Sequence, residues 1–422
     1  VPSPIDPRPA APPAADAWRL LAFLTLLNVL NFVDRILITA LAPLLIEDLG
    51  LTRAQIGLLA GFGFVFFYSF VGLLLGLAAD RWRRIPLVAA GVALWSAMTA
   101  LSGAARGFAG LALPRVFVGV GEATLTPAAL SMLGDAFPPR RLAMASGVYY
   151  AGIPLGTAVG LIASGWLAPR WGWRAPFWIL GGLGLVAALL LPLFREPARR
   201  LAAATPAAPA VPLGRLARDF VHALARRRDL ALTLLGGSLL CYGAAAAMHG
   251  VTWLVEERGY PYSRAAFASG IVAVLGGLAG NLAGGAFADR CARRRPDGHL
   301  FSLIPMTLFF VPISFVYYRL EPGTPLFHLC WFVTVAGTSA WFGPLFAAIQ
   351  QLAPGQLRAS TVALGLLTIN LLGVGPGPLV TGWIGDRRDL TTGLLASLAV
   401  VALAVVPFAL ALRLRRRERQ PA

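Results

Sequence analysis

Long apolar runs alternate along this chain with short polar segments, and that alternation sets the first expectation. Twelve runs approach or exceed the roughly 20 residues that a helix needs to cross a bilayer. They cover 18–42, 52–79, 86–105, 111–134, 143–168 and 174–194, then 230–256, 263–288, 299–318, 325–351, 359–385 and 390–413. Nearly all charges fall between the runs, because an unpaired charge in hydrocarbon is costly. The predicted fold class is therefore all-α integral membrane, with twelve transmembrane helices. The segment 195–229 is Ala/Pro-rich around Ala202 to Pro212 and amphipathic from Leu213 to Arg227, which predicts a linker carrying an interfacial helix. The expected layout is a disordered N-terminal segment (1–17), a six-helix bundle (18–194), the linker (195–229), a second six-helix bundle (230–413) and a basic tail (414–422).

An internal repeat supports two pseudo-symmetric halves. Gly76-Leu-Ala-Ala-Asp80-Arg81 at the end of the second run is echoed by Gly285-Ala-Phe-Ala-Asp289-Arg290 at the end of the eighth. The fifth and eleventh runs match as well: Gly152, Gly156 and Gly160 precede Gly165-Trp, while Gly373, Gly375 and Gly377 precede Gly382-Trp. Such glycines, with Pro154 among them, predict helix packing seams, since small residues let backbones approach closely. Two repeats with a substrate site between them near the midplane are the expected plan of a secondary transporter.

Composition sharpens this picture. Of 422 residues, 57% are hydrophobic and only 13% charged, against about 25% charged in a soluble domain. The net charge of +17 comes from 36 arginines without a lysine. Their distribution excludes a nucleic-acid binder: 25 lie on the side of the termini, 9 on the opposite side, and Arg35 and Arg115 fall inside spans. The bias places both termini in the cytoplasm of a cell's inner membrane. Cys241, Cys291 and Cys330 show neither metal-ligand spacing nor a paired framework, so they read as free packing thiols. The 1–16 stretch lacks an apolar core, which predicts insertion by the first span rather than by a cleavable signal.

Several motifs carry a family resemblance. The segment Gly76-x-x-x-Asp80-Arg81-Trp82-Arg83-Arg84 resembles the signature of the major facilitator superfamily, with Arg83 where a glycine is usual. That departure is similar to the spinster-like branch of lipid and sphingolipid transporters. Asn31-Phe-Val-Asp34-Arg35 on the first span fits the same branch, and Arg115-Val-Phe-Val-Gly119-Val-Gly121-Glu122 on the fourth extends the match. Gly152-Ile-Pro154-Leu-Gly156, Gly172-Trp173-Arg174 and Arg195-Glu196-Pro197 extend it further. Organic-anion symporters also carry Asn-x-x-Asp-Arg on the first helix. The resemblance implies a proton-coupled transporter working by alternating access on an amphiphilic, lipid-like substrate such as a lysolipid or sphingoid phosphate. Proton antiport is the expected direction, and symport of a small organic anion is the alternative. The expected partners are that substrate, protons and membrane lipids, with a monomer as the working unit.

Asp34 and Glu122 are the only carboxylates deep within the runs, and a carboxylate placed between desolvation and a nearby Arg is a candidate proton site. Arg115 and Glu122 are seven residues apart, two turns on one helix face. A cluster of Asp34, Arg35, Arg115 and Glu122 follows, with the arginines as counter-charges or ligands for an anionic headgroup and Asn31 nearby. The bland reading is a set of static salt bridges. On the seventh run Tyr242, Ala246, His249 and Trp253 form a stripe at helical spacing that predicts a cavity lining, although a lone His among small residues also suits packing. Trp341 with Phe342 on the tenth can contact either an amphiphile or lipid. Gly76, Asp80, Arg81, Arg84, Asp289 and Arg290 are expected to gate the cytoplasmic face, where an acid can meet an Arg or a helix N-terminus of the opposite half. No nucleotide loop, metal-binding His cluster or catalytic triad pattern occurs in the runs, so neither an enzyme nor a metal or other cofactor is expected.

Overall fold

The computed structural model describes residues 15–79, 82–198, 213–353 and 358–419. Asp80 and Arg81, the Ala/Pro-rich stretch of the linker and nearly all of the 1–17 segment lie outside the described residues. Among the described residues, twelve helices are long and apolar enough to span a membrane: α1 (Ala15–Ala40), α2 (Arg53–Gly72), α3 (Arg84–Ser102), α4 (Phe108–Ala136), α5 (Arg140–Trp171), α6 (Arg174–Leu193), α7 (Arg228–Glu256), α8 (Tyr262–Arg294), α9 (Gly298–Tyr317), α10 (Pro325–Leu352), α11 (Thr361–Arg387) and α12 (Leu390–Arg417). Helix α8 runs six residues beyond its predicted end at 288, so Asp289 and Arg290 lie on helix rather than in a loop. The amphipathic segment forms a helix over Leu213–Arg226, whose Phe220 and Leu224 pack on the second half.

Glycine seams hold the helices of each half together. In the first half α5 packs along α1, where a Cβ on Gly156 would lie 2.5 Å from the Val29 carbonyl oxygen and 2.7 Å from the Phe32 Cβ. Gly152 faces Asn28 in the same way, and Gly160 faces Ile36 and Val33. Asn28 Nδ2 donates to the Tyr149 carbonyl (2.8 Å), which fixes the register of the seam. Pro154 is half-buried on another face of α5. Between halves, α5 packs on α8 and α2 on α11. These contacts concentrate toward the end opposite the termini: Gly165 faces Ser263 and Ala266, and Gly382 faces the Arg53 backbone.

Several helices leave regular α geometry near their middles. Helix α4 breaks after Glu122 and its repeat counterpart α10 breaks at Trp341; α7 passes through a 3₁₀ turn at Ala247–His249 and α11 through a π turn at Asn370–Val374. Breaks of this kind at membrane depth are tolerated where protein or a cavity surrounds them.

Arg84 differs from its expected place. It is 1% exposed and bound wholly within the first half, donating to Asp135 on α4 (2.5 Å), to the Glu196 carboxylate after α6 (3.1 Å), to the Ser131 hydroxyl (3.0 Å) and to the Pro197 carbonyl (2.7 Å). The residue thus staples α3, α4 and the end of α6, because a buried guanidinium needs every donor satisfied. The second half repeats the device with the charges exchanged: Arg415 on α12 bonds Asp297 at the start of α9 (2.5 Å). Burial opposes ionisation of Glu196, but bonds from the Arg84 backbone and side chain outweigh it, and its carboxyl is held below the usual range. Its stabilising contribution is therefore complete above the ordinary glutamate value near ~4.3 and disappears as pH falls through the lowered native value. Removing Arg84 leaves Asp135 buried without this charge partner, so Arg84→Ala should cost about 3–5 kcal/mol. Thermal unfolding in detergent checks both expectations: the variant should melt well below wild type, and the acid-side decline of wild-type stability should shrink in Glu196→Gln.

Candidate functional site

The four intramembrane charges meet as two ion pairs between α1 and α4. Arg35 Nε donates to Glu122 Oε2 at 2.7 Å, and Arg115 Nη1 lies 3.4 Å from Asp34 Oδ2. Arg115 also donates to the Asp34 and Arg35 carbonyls (3.3 and 3.1 Å), so its head is tied to the α1 backbone. Thr99 on α3 donates to Asp34 Oδ1 at 2.7 Å. The sequence points to the quartet but not to this third-helix partner, which has no charge to mark it.

The members are not equivalent. The Arg115, Asp34 and Glu122 side chains are 5%, 3% and 0% exposed, whereas that of Arg35 is 23% exposed. Rings of Phe32, Phe64 and Tyr68 surround the Arg35 guanidinium at 4.8, 5.1 and 4.2 Å from their centroids, a cation–π arrangement that supports a partly desolvated cation. Arg35 is thus the most exposed charge of the four. Among the described residues, three buried polar atoms of this cluster have no partner: Glu122 Oε1, Arg115 Nε and Asn31 Nδ2. Such atoms are rare in a finished core and mark a place where a proton, water or ligand group fits.

A second charged constellation closes the end opposite the termini. Arg53 at the start of α2 donates through Nε and Nη2 to Glu256 Oε2 on α7 (2.8 and 2.6 Å). The backbone amides of Arg53 and Ala54 donate to the two Asp386 oxygens of α11 (2.8 and 2.9 Å). An acid of one half therefore caps a helix N-terminus of the other, a favoured position for negative charge. Beneath this latch a Cβ on Gly61 would stand 2.6 Å from the Gly375 carbonyl oxygen, so the α2 and α11 backbones are in direct contact.

The α7 stripe is corrected. His249 is 1% exposed and bonds the Pro378 carbonyl of α11 through Nε2 at 2.8 Å, which makes Nε2 the donor. It fastens two helices of the second half. Trp253 is completely buried, donates to Thr391 Oγ1 (2.8 Å) and packs with Tyr317, Tyr318 and Phe327. Ala246 is buried too. The 3₁₀ turn at 247–249 shifts the angular register, so residues spaced for one α-helical face no longer share it. Tyr242, half-buried, abuts Gly373 and Gly377 with its backbone. Trp341 is 6% exposed, stacked on Phe342 at 4.2 Å. Of the expected gate residues at the termini end, Gly76 lies on the helix that continues α2, Asp289 faces His299 of its own half at 3.5 Å, and Arg290 is exposed.

Comparison with known proteins fits this architecture. The family model described as Major Facilitator Superfamily matches residues 24–378. The chain belongs to the major facilitator superfamily. Members of this superfamily are transporters, and this chain is a multi-pass membrane protein. It is 32% identical over 371 residues to an MFS-type efflux pump of Mycolicibacterium smegmatis, covering 88% of this chain and 85% of that protein. A hexuronate transporter of Bacillus subtilis is 27% identical, with 93% and 94% covered. Protein spinster of Drosophila melanogaster is 26% identical over 306 residues, 70% of this chain and 49% of that one. A bacterial homologue of the human lysosomal transporter spinster, solved in an inward-facing, unoccupied conformation, superposes with a TM-score of 0.82 at 24% identity, covering 97% of this chain and all of the other.

Proposed function

We propose that this transporter couples proton movement to transport of an amphiphilic anion by alternating access, with Glu122 and Asp34 as proton sites and Arg35 as the substrate-facing charge. The observation that carries the reading is the Arg35–Glu122 pair: a partly exposed cation bound to a fully buried acid whose second oxygen has no partner. An anion arriving at Arg35 competes with Glu122 for the guanidinium. Once displaced, Glu122 cannot stay buried and charged without a partner, so it takes up a proton. Release of the anion restores the pair and expels the proton. Anion and proton are thus taken up together and released together, so this exchange at Arg35 couples them in the same direction, as a proton symporter does.

With both termini in the cytoplasm of the inner membrane, as the arginine bias favours, the latch of Arg53, Glu256 and Asp386 closes the outer side. The substrate site then faces inward, and the anion and its proton exchange there with the cytoplasm or the inner leaflet. Asp80 and Asp289 are proposed to gate that inner side when the halves rock together.

Proteoliposomes with an imposed pH gradient test the reading, using alkyl phosphates and lysophospholipids beside glucuronate and gluconate. Gradient-driven movement of the phosphate amphiphiles is expected. Arg35→Gln should weaken anionic amphiphiles about 10- to 150-fold, the range of a charge-assisted hydrogen bond of ~1.5–3 kcal/mol, and leave a neutral analogue of the same chain nearly unchanged. Transport of the sugar acids with indifference to the amphiphiles would replace the lipid reading by a small organic anion.

A further inference from the structure

Beneath the latch, His249 and the carbonyl it bonds lie at a contact between the halves. The Pro378 carbonyl, which accepts from His249 Nε2 at 2.8 Å, is covered from the first half by α2: a Cβ on Gly57 would strike that carbonyl and stand 2.7 Å from the Leu379 nitrogen. Gly57 follows Arg53 by four residues, about one helical turn. The α2 backbone therefore roofs the bond between His249 and Pro378 just below the charged groups of the latch. The seat is closed, since His249 is 1% exposed and Gly57 is buried.

The other ring nitrogen decides which form of the imidazole fits. Among the described residues, Nδ1 is buried without a partner, so the neutral ring is accommodated, whereas an imidazolium would bring a second N–H with no acceptor. A buried charge also needs a counter-charge, and the charged groups facing this spot are engaged elsewhere. On α2 and α11 they are Arg53 and Asp386, which act on the ring with opposite sign. Asp386 accepts the α2 backbone amides, and Arg53 pairs with Glu256 of α7. Glu257, the acid that follows α7, is held by the Thr391 amide and hydroxyl at the start of α12.

We propose that His249 is a proton-binding site that exists only while the end opposite the termini is open. When the halves part there, Gly57 lifts from Pro378, water reaches the ring and Nδ1 accepts a proton. Closure requires the neutral ring, so the proton leaves by the side from which it came. His249 thus biases the access equilibrium and carries nothing across. Acid on that side favours opening, because the state that binds the extra proton gains as pH falls. With an ordinary imidazole value of ~6.5 in the open state, the open-to-closed ratio should rise about tenfold from ~pH 7.5 to ~pH 5.5. The inference rests on the alternating-access reading above, but neither on its substrate nor on Glu122 and Asp34 as proton carriers.

Spin-label distances between Ala104 and Arg319, exposed residues of the two halves at that end, measure the ratio across this pH range. The full-length protein is used without substrate and without Cys241, Cys291 and Cys330. His249→Gln keeps an amide N–H for the Pro378 carbonyl and cannot titrate, so it should lose the tenfold rise, while acidic groups elsewhere act on both proteins alike. The ring itself gives a second reading if that variant does not fold. With His222, His299 and His328 replaced by glutamine, NMR of the remaining imidazole should find it neutral in the closed population and protonated in the open one. An equal pH response in wild type and His249→Gln, or a ring that stays neutral as the distances lengthen, would overturn the inference and leave alternating access standing. A single distance at every pH, in Arg53→Ala as well, would overturn the access reading and the inference with it.

Discussion

Replacing Glu122 by glutamine should yield a folded transporter that no longer converts a pH gradient into a substrate gradient. One pH unit is equivalent to 1.36 kcal/mol per proton, so a carrier moving one proton per substrate can sustain about a tenfold gradient per unit. In Glu122→Gln that ratio should fall to about one, while substrate exchange at equal pH persists. The fold survives because the partner left behind, Arg35, is partly exposed and retains its three aromatic neighbours. Asp34→Asn differs in a way that the geometry dictates. Its partner Arg115 is buried, and breaking a buried pair costs about 3–5 kcal/mol, so this variant should lose both coupling and thermal stability. Counterflow and gradient-driven uptake, measured beside melting curves, separate the two. Undiminished accumulation in Glu122→Gln would remove Glu122 from the coupling mechanism.

Arg53→Ala should shift the molecule toward opening at the end opposite the termini. The change removes the ion pair to Glu256 and the side-chain contact to Asp386 but keeps the backbone cap of Asp386 on α2. A loss of ~1–3 kcal/mol would change the ratio of states about 5- to 150-fold. Spin labels at Ala104 and Arg319, both exposed and one in each half, report the separation in a background without Cys241, Cys291 and Cys330. A longer-distance population should appear in Arg53→Ala and recede in Arg53→Glu combined with Glu256→Arg. Identical distance distributions in wild type and Arg53→Ala would show that the latch carries no weight.

The contrast between these two sites shows what a sequence makes visible. Charges in an apolar run stand out because almost nothing else occupies such positions, so Asp34, Arg35, Arg115 and Glu122 are legible, and so are the spans and the halves. Arg53 is not. It begins a helix beside a loop, where an arginine reads as one more surface charge, and its partners are 203 and 333 residues away in the chain. Arg84 misleads for a related reason: a motif names it, but only the folded half reveals that Asp135 and Glu196 occupy it. The stripe on α7 fails on local geometry, since one turn of 3₁₀ helix between Tyr242 and Trp253 defeats any projection at a constant period. Small residues carry the opposite lesson, because Gly152, Gly156 and Gly160 could be read as a seam whatever their partner, and α1 proved to be that partner.

The latch has a consequence for how readily the door swings. Its bonds join a guanidinium, two carboxylates and two backbone amides, all groups that water satisfies nearly as well as they satisfy one another. When the halves part at that end, solvent enters the widening gap and takes up each donor and acceptor as it is released. The closed state is thus held by contacts whose rupture is compensated by the event that ruptures them, whereas a seal of packed hydrocarbon would resist wetting at every step. A door fastened in this way can shut firmly and still open on a small difference in free energy, which suits a machine that must return to its starting shape after every molecule it moves.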